Sequence, residues 1–230
     1  MEKKPNDTQF LTLVLTITGG YSDALTYVAA NKIFSNHITG NIVLFADNLI
    51  TGKFSGACAS LLAIPVFIFS VLTGGWIIKK YSNRNLFFFE GILFLSGGIL
   101  AYIFGLSNFE EMTVLKYWVA MLSVSAMGMQ STFGKRFAKD TYGLTTLMTG
   151  NIVQLSLQVE SYPQSGLKKA QLLISMARGS ITICGFITGC ILGAYSGQHY
   201  GLVGMMLPGI MILLIFSLKK SFRGLPNPIV

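Results

Sequence analysis

Thr, Gly and Asn stand together twice in this chain, at Thr39-Gly40-Asn41 and Thr149-Gly150-Asn151, and each trio is followed by Ile-Val. Thr and Asn are helix N-cap residues, and Gly lets a backbone turn sharply before a helix. The apolar run Ile42-Val43-Leu44-Phe45-Ala46 would be the helix after the first trio. A helix start offers free N–H groups and partial positive charge. Two such starts aimed at the middle of a membrane from opposite faces would build a polar site for a small polar or anionic solute. The plainer alternative is that Thr39 and Thr149 cap surface helices in long loops.

Asp23 is the acidic residue set well inside an apolar stretch. A carboxylate at that depth is expensive, by roughly 2.5–3.5 kcal/mol on insertion scales, so it should face a bundle interior or water. It either couples a proton or cation to a solute, or accepts bonds from N–H groups freed where a helix breaks at Gly19-Gly20. Gln130 is its counterpart in the second half, offset by a few residues. The candidate substrate-binding set is therefore Asp23, Thr39, Asn41, Gln130, Thr149 and Asn151. There is no metal-ligand spacing, cofactor motif, phosphate-binding loop or nucleophile–base pair, so neither a cofactor nor an enzyme is expected.

These residues need elements to hold them. The chain is 52% hydrophobic and 11% charged, where a soluble domain carries about 25% charged residues. Lipid is the expected solvent. Six stretches suit crossing, at 10–30, 57–78, 86–106, 114–132, 172–195 and 200–218. The two segments opening on Thr-Gly-Asn, 38–50 and 144–158, are too short and read as half-helices or interfacial helices. The net charge of +8 is not a nucleic-acid signal, because the basic residues sit in short loops between apolar runs. With the N-terminus inside and six crossings, 14 of the 17 basic residues fall inside or at the inner edge, and Glu110-Glu111 fall outside. Eight crossings would move Lys79, Lys80 and Arg84 outside. Three crossings per half invert the second half relative to the first. The expected fold is all-α, a polytopic membrane protein of six transmembrane helices plus two half-helices, with repeats at 1–110 and 111–230. Both termini would be cytoplasmic, and Lys3 and Lys4 precede a retained first span rather than a cleaved signal.

Other residues carry smaller expectations. Gly185, Gly189, Gly193 and Gly197 make one smooth helix face, suited to close packing inside the bundle or to a homodimer seam. Glu90 and Arg178 lie near inner span ends and are expected to reach the interface. Cys58, Cys184 and Cys190 read as small buried hydrophobes. His37 and His199 suggest no metal site. Pro65 and Pro208 fall inside spans, where kinks are expected.

Gly20-Tyr21-Ser22-Asp23-Ala24 followed by His37-Ile38-Thr39-Gly40-Asn41-Ile42-Val43, together with Gly128-Met129-Gln130 and the second Thr-Gly-Asn, resembles the YoaK-like family of bacterial membrane proteins, a domain of unknown function. The resemblance covers nearly the whole chain. It departs at Ser131, where the family often has Asn. It implies a small multi-span protein of the bacterial inner membrane and supplies no substrate. The functional expectation is a small-solute transporter or channel with a midplane polar site. The alternative is a non-transporting scaffold or regulatory partner using the glycine face.

Overall fold

A computed structural model describes residues 5–106, 114–138, 141–142, 145–146, 148–164, 166 and 169–218. Among them there is no strand. The helices are α1 (Pro5–Ala29), α2 (Ile38–Ile50), α3 (Phe54–Lys80), α4 (Asn83–Ile103), α5 (Val114–Arg136), α6 (Met148–Ser161), α7 (Lys169–Tyr200) and α8 (Met206–Leu218). The short segment α2 has the expected bounds. Its counterpart α6 is displaced by a few residues toward the C-terminus, and Leu144 lies outside the described residues. So do Lys3, Lys4, Glu110, Glu111, Lys139, Lys168, Lys219, Lys220 and Arg223, on which part of the orientation argument rests.

Among the described residues three stretches are long and apolar enough to cross a membrane: Phe54–Lys80, Asn83–Ile103 and Lys169–Ser217, the last running through α7 and α8. Helices α1 and α5 do not reach that standard, and their position explains why. Polar residues such as Thr12, Thr16, Ser22, Ser123 and Gln130 on these two helices are fully buried. Helices shielded from lipid by others need less hydrophobicity on their own account. The outer faces of α3, α4, α7 and α8 show Ile68, Phe69, Ile99, Tyr102, Ile191 and Leu207 to the surroundings. An apolar exterior around a more polar interior is the surface of a helical membrane protein.

The helices pair across the two halves. α1 lies along α7, α3 along α5, and α4 along both α5 and α8. The first long helix of each half thus packs on the second long helix of the other. Glycine makes these pairings close. A Cβ on Gly189 would overlap the Ile17 carbonyl, one on Gly193 the Tyr21 carbonyl, and one on Gly20 the Phe186 carbonyl. The glycine face of α7 is therefore covered by α1 of the same chain, which is the packing use rather than a seam open to a second copy. Helix α1 runs unbroken through Gly19 and Gly20, so these glycines admit a neighbour and do not interrupt the helix.

Two smaller expectations are corrected. Glu90 does not reach the interface: it is fully buried, with Leu86, Phe87 and Phe94, on the α4 face turned into the bundle. It forms no pair with Arg178, which is exposed and lies over the Tyr142 ring at 5.2 Å. Cys58 and Cys184 are exposed rather than buried, because in lipid a small apolar side chain has no reason to turn inward.

Candidate functional site

Asp23 sits in the C-terminal half of α1 and is 3% exposed. Its carboxylate accepts the Asn36 backbone N–H at 2.6 Å, the His37 backbone N–H at 3.3 Å and the Ser35 hydroxyl at 3.5 Å. Its second oxygen pairs with His37 Nδ1. The segment between α1 and α2 therefore folds back onto α1, and Asp23 satisfies the N–H groups that such a turn would leave bare. This is capping, but of the segment leading into α2 and not of a break in α1 itself.

The expected caps are corrected in the same place. His37, not Thr39, occupies the N-cap position of α2, and no side chain caps it there. Thr39 lies inside the first turn and is exposed, as Thr149 is in α6. Asn41 is fully buried. Its amide donates to the Phe34 carbonyl at 2.7 Å, and its carbonyl accepts the Phe34 N–H at 2.9 Å. Only an amide can serve both groups of one residue in this way. The trio thus fixes an irregular segment beside the helix it opens. Gly40 belongs to this fit, because a Cβ there would meet the Phe34 ring at 2.9 Å, whereas Gly150 has open space around it.

Asn36, in the segment leading into α2, bonds to three other parts of the chain. Its N–H bonds to Asp23 on α1, its Oδ1 accepts the Ser131 hydroxyl of α5 at 3.3 Å, and its Nδ2 donates to the Thr146 carbonyl at 3.2 Å, just before α6. The approaches to the two Thr-Gly-Asn helices therefore touch each other. Gln130 stands close by, donating to the Leu15 carbonyl of α1 at 2.8 Å while its Oε1 is buried without a partner among the described residues.

A cleft of about 690 Å³ leads away from this junction. Its floor carries Asn36, Ser131 and Thr146, with Thr39 beside them. One wall is a face of α3 from Phe67 to Lys79, and Lys135 and Arg136 of α5 stand opposite. From Phe67 to Lys79 is about 18 Å along a helix at 1.5 Å per residue. Arg136 reaches across to the Gly75 carbonyl at 3.4 Å. The rings of Tyr27, Phe34, His37 and Phe186 pack in that succession, with neighbouring centroids 4.9–5.9 Å apart.

Of the six expected residues, Thr39 alone lines this cleft. Asp23 and Asn41 hold its rim from behind, and Gln130 is buried against α1. Asn151 lines a separate cavity of about 200 Å³ with Gln154, Gln158 and Arg178, and Thr149 lines neither. Asn36, His37, Thr146 and the three basic residues were missed. A signal existed: extending the repeat upstream from the two trios aligns Asn36 with Thr146, both polar.

No curated protein and no solved structure matches this chain. A family profile described as "Protein of unknown function (DUF1275)" matches residues 11–218, and the chain, with its paired Thr-Gly-Asn helices, belongs to that family, the YoaK-like membrane proteins.

Proposed function

We propose that this protein is a small-solute transporter or channel, without enzymatic activity, built as an inverted repeat of six crossings in a bacterial inner membrane, with both termini cytoplasmic. The observation that carries the reading is the Asn36–Thr146 contact at the floor of a wide cleft. Non-helical backbone at membrane depth is tolerated where it is buried in protein or lines a cavity, and here both irregular segments meet at one. Transporters built from inverted repeats bind solute between interrupted segments of the two halves. The cross-half pairing of α1 with α7 and α5 with α3 is the exchange that a two-fold axis in the membrane plane would produce.

In this reading the cleft is the path open to the cytoplasm, and the Tyr27, Phe34, His37 and Phe186 rings close the other side. The scaffold reading loses its main support, because α1 covers the glycines on which it rested.

Flux in liposomes tests the proposal. Thr39→Cys, on a background lacking Cys58, Cys184 and Cys190, should lose solute flux when a bulky thiol reagent enters the cleft. Flux unaffected by complete labelling would sink it. Orientation has its own test. Lys80→Cys should react from the cytoplasm and Lys53→Cys from outside; reaction of both from one side removes the inverted repeat.

A further inference from the structure

The walls of the cleft restrict what it can hold. Three cations, Lys79, Lys135 and Arg136, converge on it from two helices, and among the described residues no carboxylate lines it. The α3 wall is apolar, with Phe67, Val71, Leu72 and Trp76 among its lining residues. A bare inorganic ion has no use for that wall. A neutral apolar molecule has no use for three cations. We propose that the cleft binds a soluble organic anion with an apolar body, its charged group among Lys79, Lys135 and Arg136 and its body along Phe67, Leu72 and Trp76. The proposal rests on the transport reading for its biological meaning, and it names the substrate class of that same site.

Basic residues at inner helix ends also serve topology, and they suit the negative ends of helix dipoles. Those roles do not require convergence. Lys80, the next residue after Lys79, lies instead over the Trp76 and Tyr81 rings, with its Nζ 4.9 and 5.6 Å from their centroids. Arg136 is held in the cleft by the Gly75 carbonyl, and a guanidinium has further N–H groups for a carboxylate. An anionic lipid of the inner leaflet shares the ligand chemistry. The floor argues against it, because an acyl chain entering there would end on Asn36, Ser131 and Thr146, which an alkyl terminus cannot satisfy.

The chain has two tryptophans. Trp118→Phe leaves Trp76 as a fluorescent reporter in the wall. The full chain in phosphatidylcholine nanodiscs is titrated with hexanoate, hexanol and inorganic phosphate. Hexanoate should give a saturable change, hexanol should need at least about tenfold more, and phosphate should give none; tenfold corresponds to about 1.4 kcal/mol. Combined Lys79→Gln, Lys135→Gln and Arg136→Gln should weaken hexanoate about tenfold, while Lys80→Gln changes it less than about twofold. Equal potency of hexanoate and hexanol overturns the proposal, and that comparison needs no variant in the cleft. Loss of the hexanoate response when phosphatidylglycerol is added to the discs makes the cleft a lipid site, which also overturns it. Hexanoate binding as described without hexanoate flux in liposomes defeats the transport reading and leaves the site. Solute flux without discrimination by charge does the reverse.

Discussion

Among the described residues two carboxyl groups are buried, and they live in opposite surroundings. Asp23 on α1 is met by two backbone N–H groups, a hydroxyl and an imidazole. Glu90 on α4 is fully buried, and neither of its oxygens has a hydrogen-bond partner among the described residues. Burial alone therefore does not tell what an acidic residue contributes. Asp23 organises the chain around it, because the segment before α2 has N–H groups that need an acceptor. Glu90 accepts from no such group among the described residues, so its carboxyl opposes the packing of Leu86, Phe87 and Phe94 on the same face.

The largest effect should come from Asp23→Leu. It removes the acceptor for the Asn36 and His37 N–H groups and strands the His37 ring. Losing one partner of a buried pair costs about 3–5 kcal/mol, so the variant should lose the parent's main peak in size exclusion well below the parent melting temperature. A Leu variant as stable as the parent would erase the contrast between the two sites. Asn41→Ala comes next, at about 2–3 kcal/mol, because it unpairs both backbone groups of Phe34. Asn41→Asp should be no rescue, since a carboxylate keeps the acceptor and loses the donor. Equal stability of Asn41→Asp and the parent would show that the Phe34 carbonyl finds another partner.

Glu90→Met should move stability the other way. It replaces an unpartnered buried polar group by an apolar one of similar length, and a gain of about 1–3 kcal/mol follows. The melting temperature measures it. A destabilised Met variant would mean that the carboxyl has a partner in the folded membrane protein, and the comparison with Asp23 would collapse. A stabilised variant that no longer moves solute would give Glu90 a role in the transport cycle in place of a burden.

Much of the helix plan was legible because its signals are local. The bounds of α2 follow from Thr-Gly-Asn after a polar segment and from Gly52, whose backbone takes a positive φ of 73°. The face of Gly185, Gly189 and Gly193 was legible from spacing, although its partner, α1, was not. The site was less legible because it depends on how 30–37 folds back. Asp23 and His37 are far apart in sequence for helix periodicity, and no pattern predicts that one carboxylate will gather Ser35, Asn36 and His37. Asn41 was picked for the right residue type and the wrong reason: its chemistry is turned on Phe34, seven positions earlier. Glu90 was misread because its height along α4 was visible and its face was not. Three positions from Phe87, it shares that inward face, and the faces of α4 are too evenly apolar to show which is which.

The smallest effect on stability should come from Asp23→Asn, and it is the one that separates support from coupling. The amide oxygen still accepts the Asn36 and His37 N–H groups. The amide NH₂ can donate to His37 Nδ1 once that ring carries its proton on Nε2. What is lost is the charge and the ability to exchange a proton with His37, so the stability loss should be about 1 kcal/mol and abundance should stay near normal. If Asp23 serves only to hold the segment before α2, this variant moves solute at close to the parent rate, with the parent dependence on pH. If the Asp23–His37 pair passes a proton during the cycle, the variant folds but its flux either stops or no longer responds to a pH gradient. His37→Gln then sharpens the outcome: it keeps a hydrogen-bond donor for Asp23 and cannot titrate. A pair that couples protons predicts the same flux defect in both variants. A purely structural pair predicts normal flux in both, with only the modest loss of stability to show for either change.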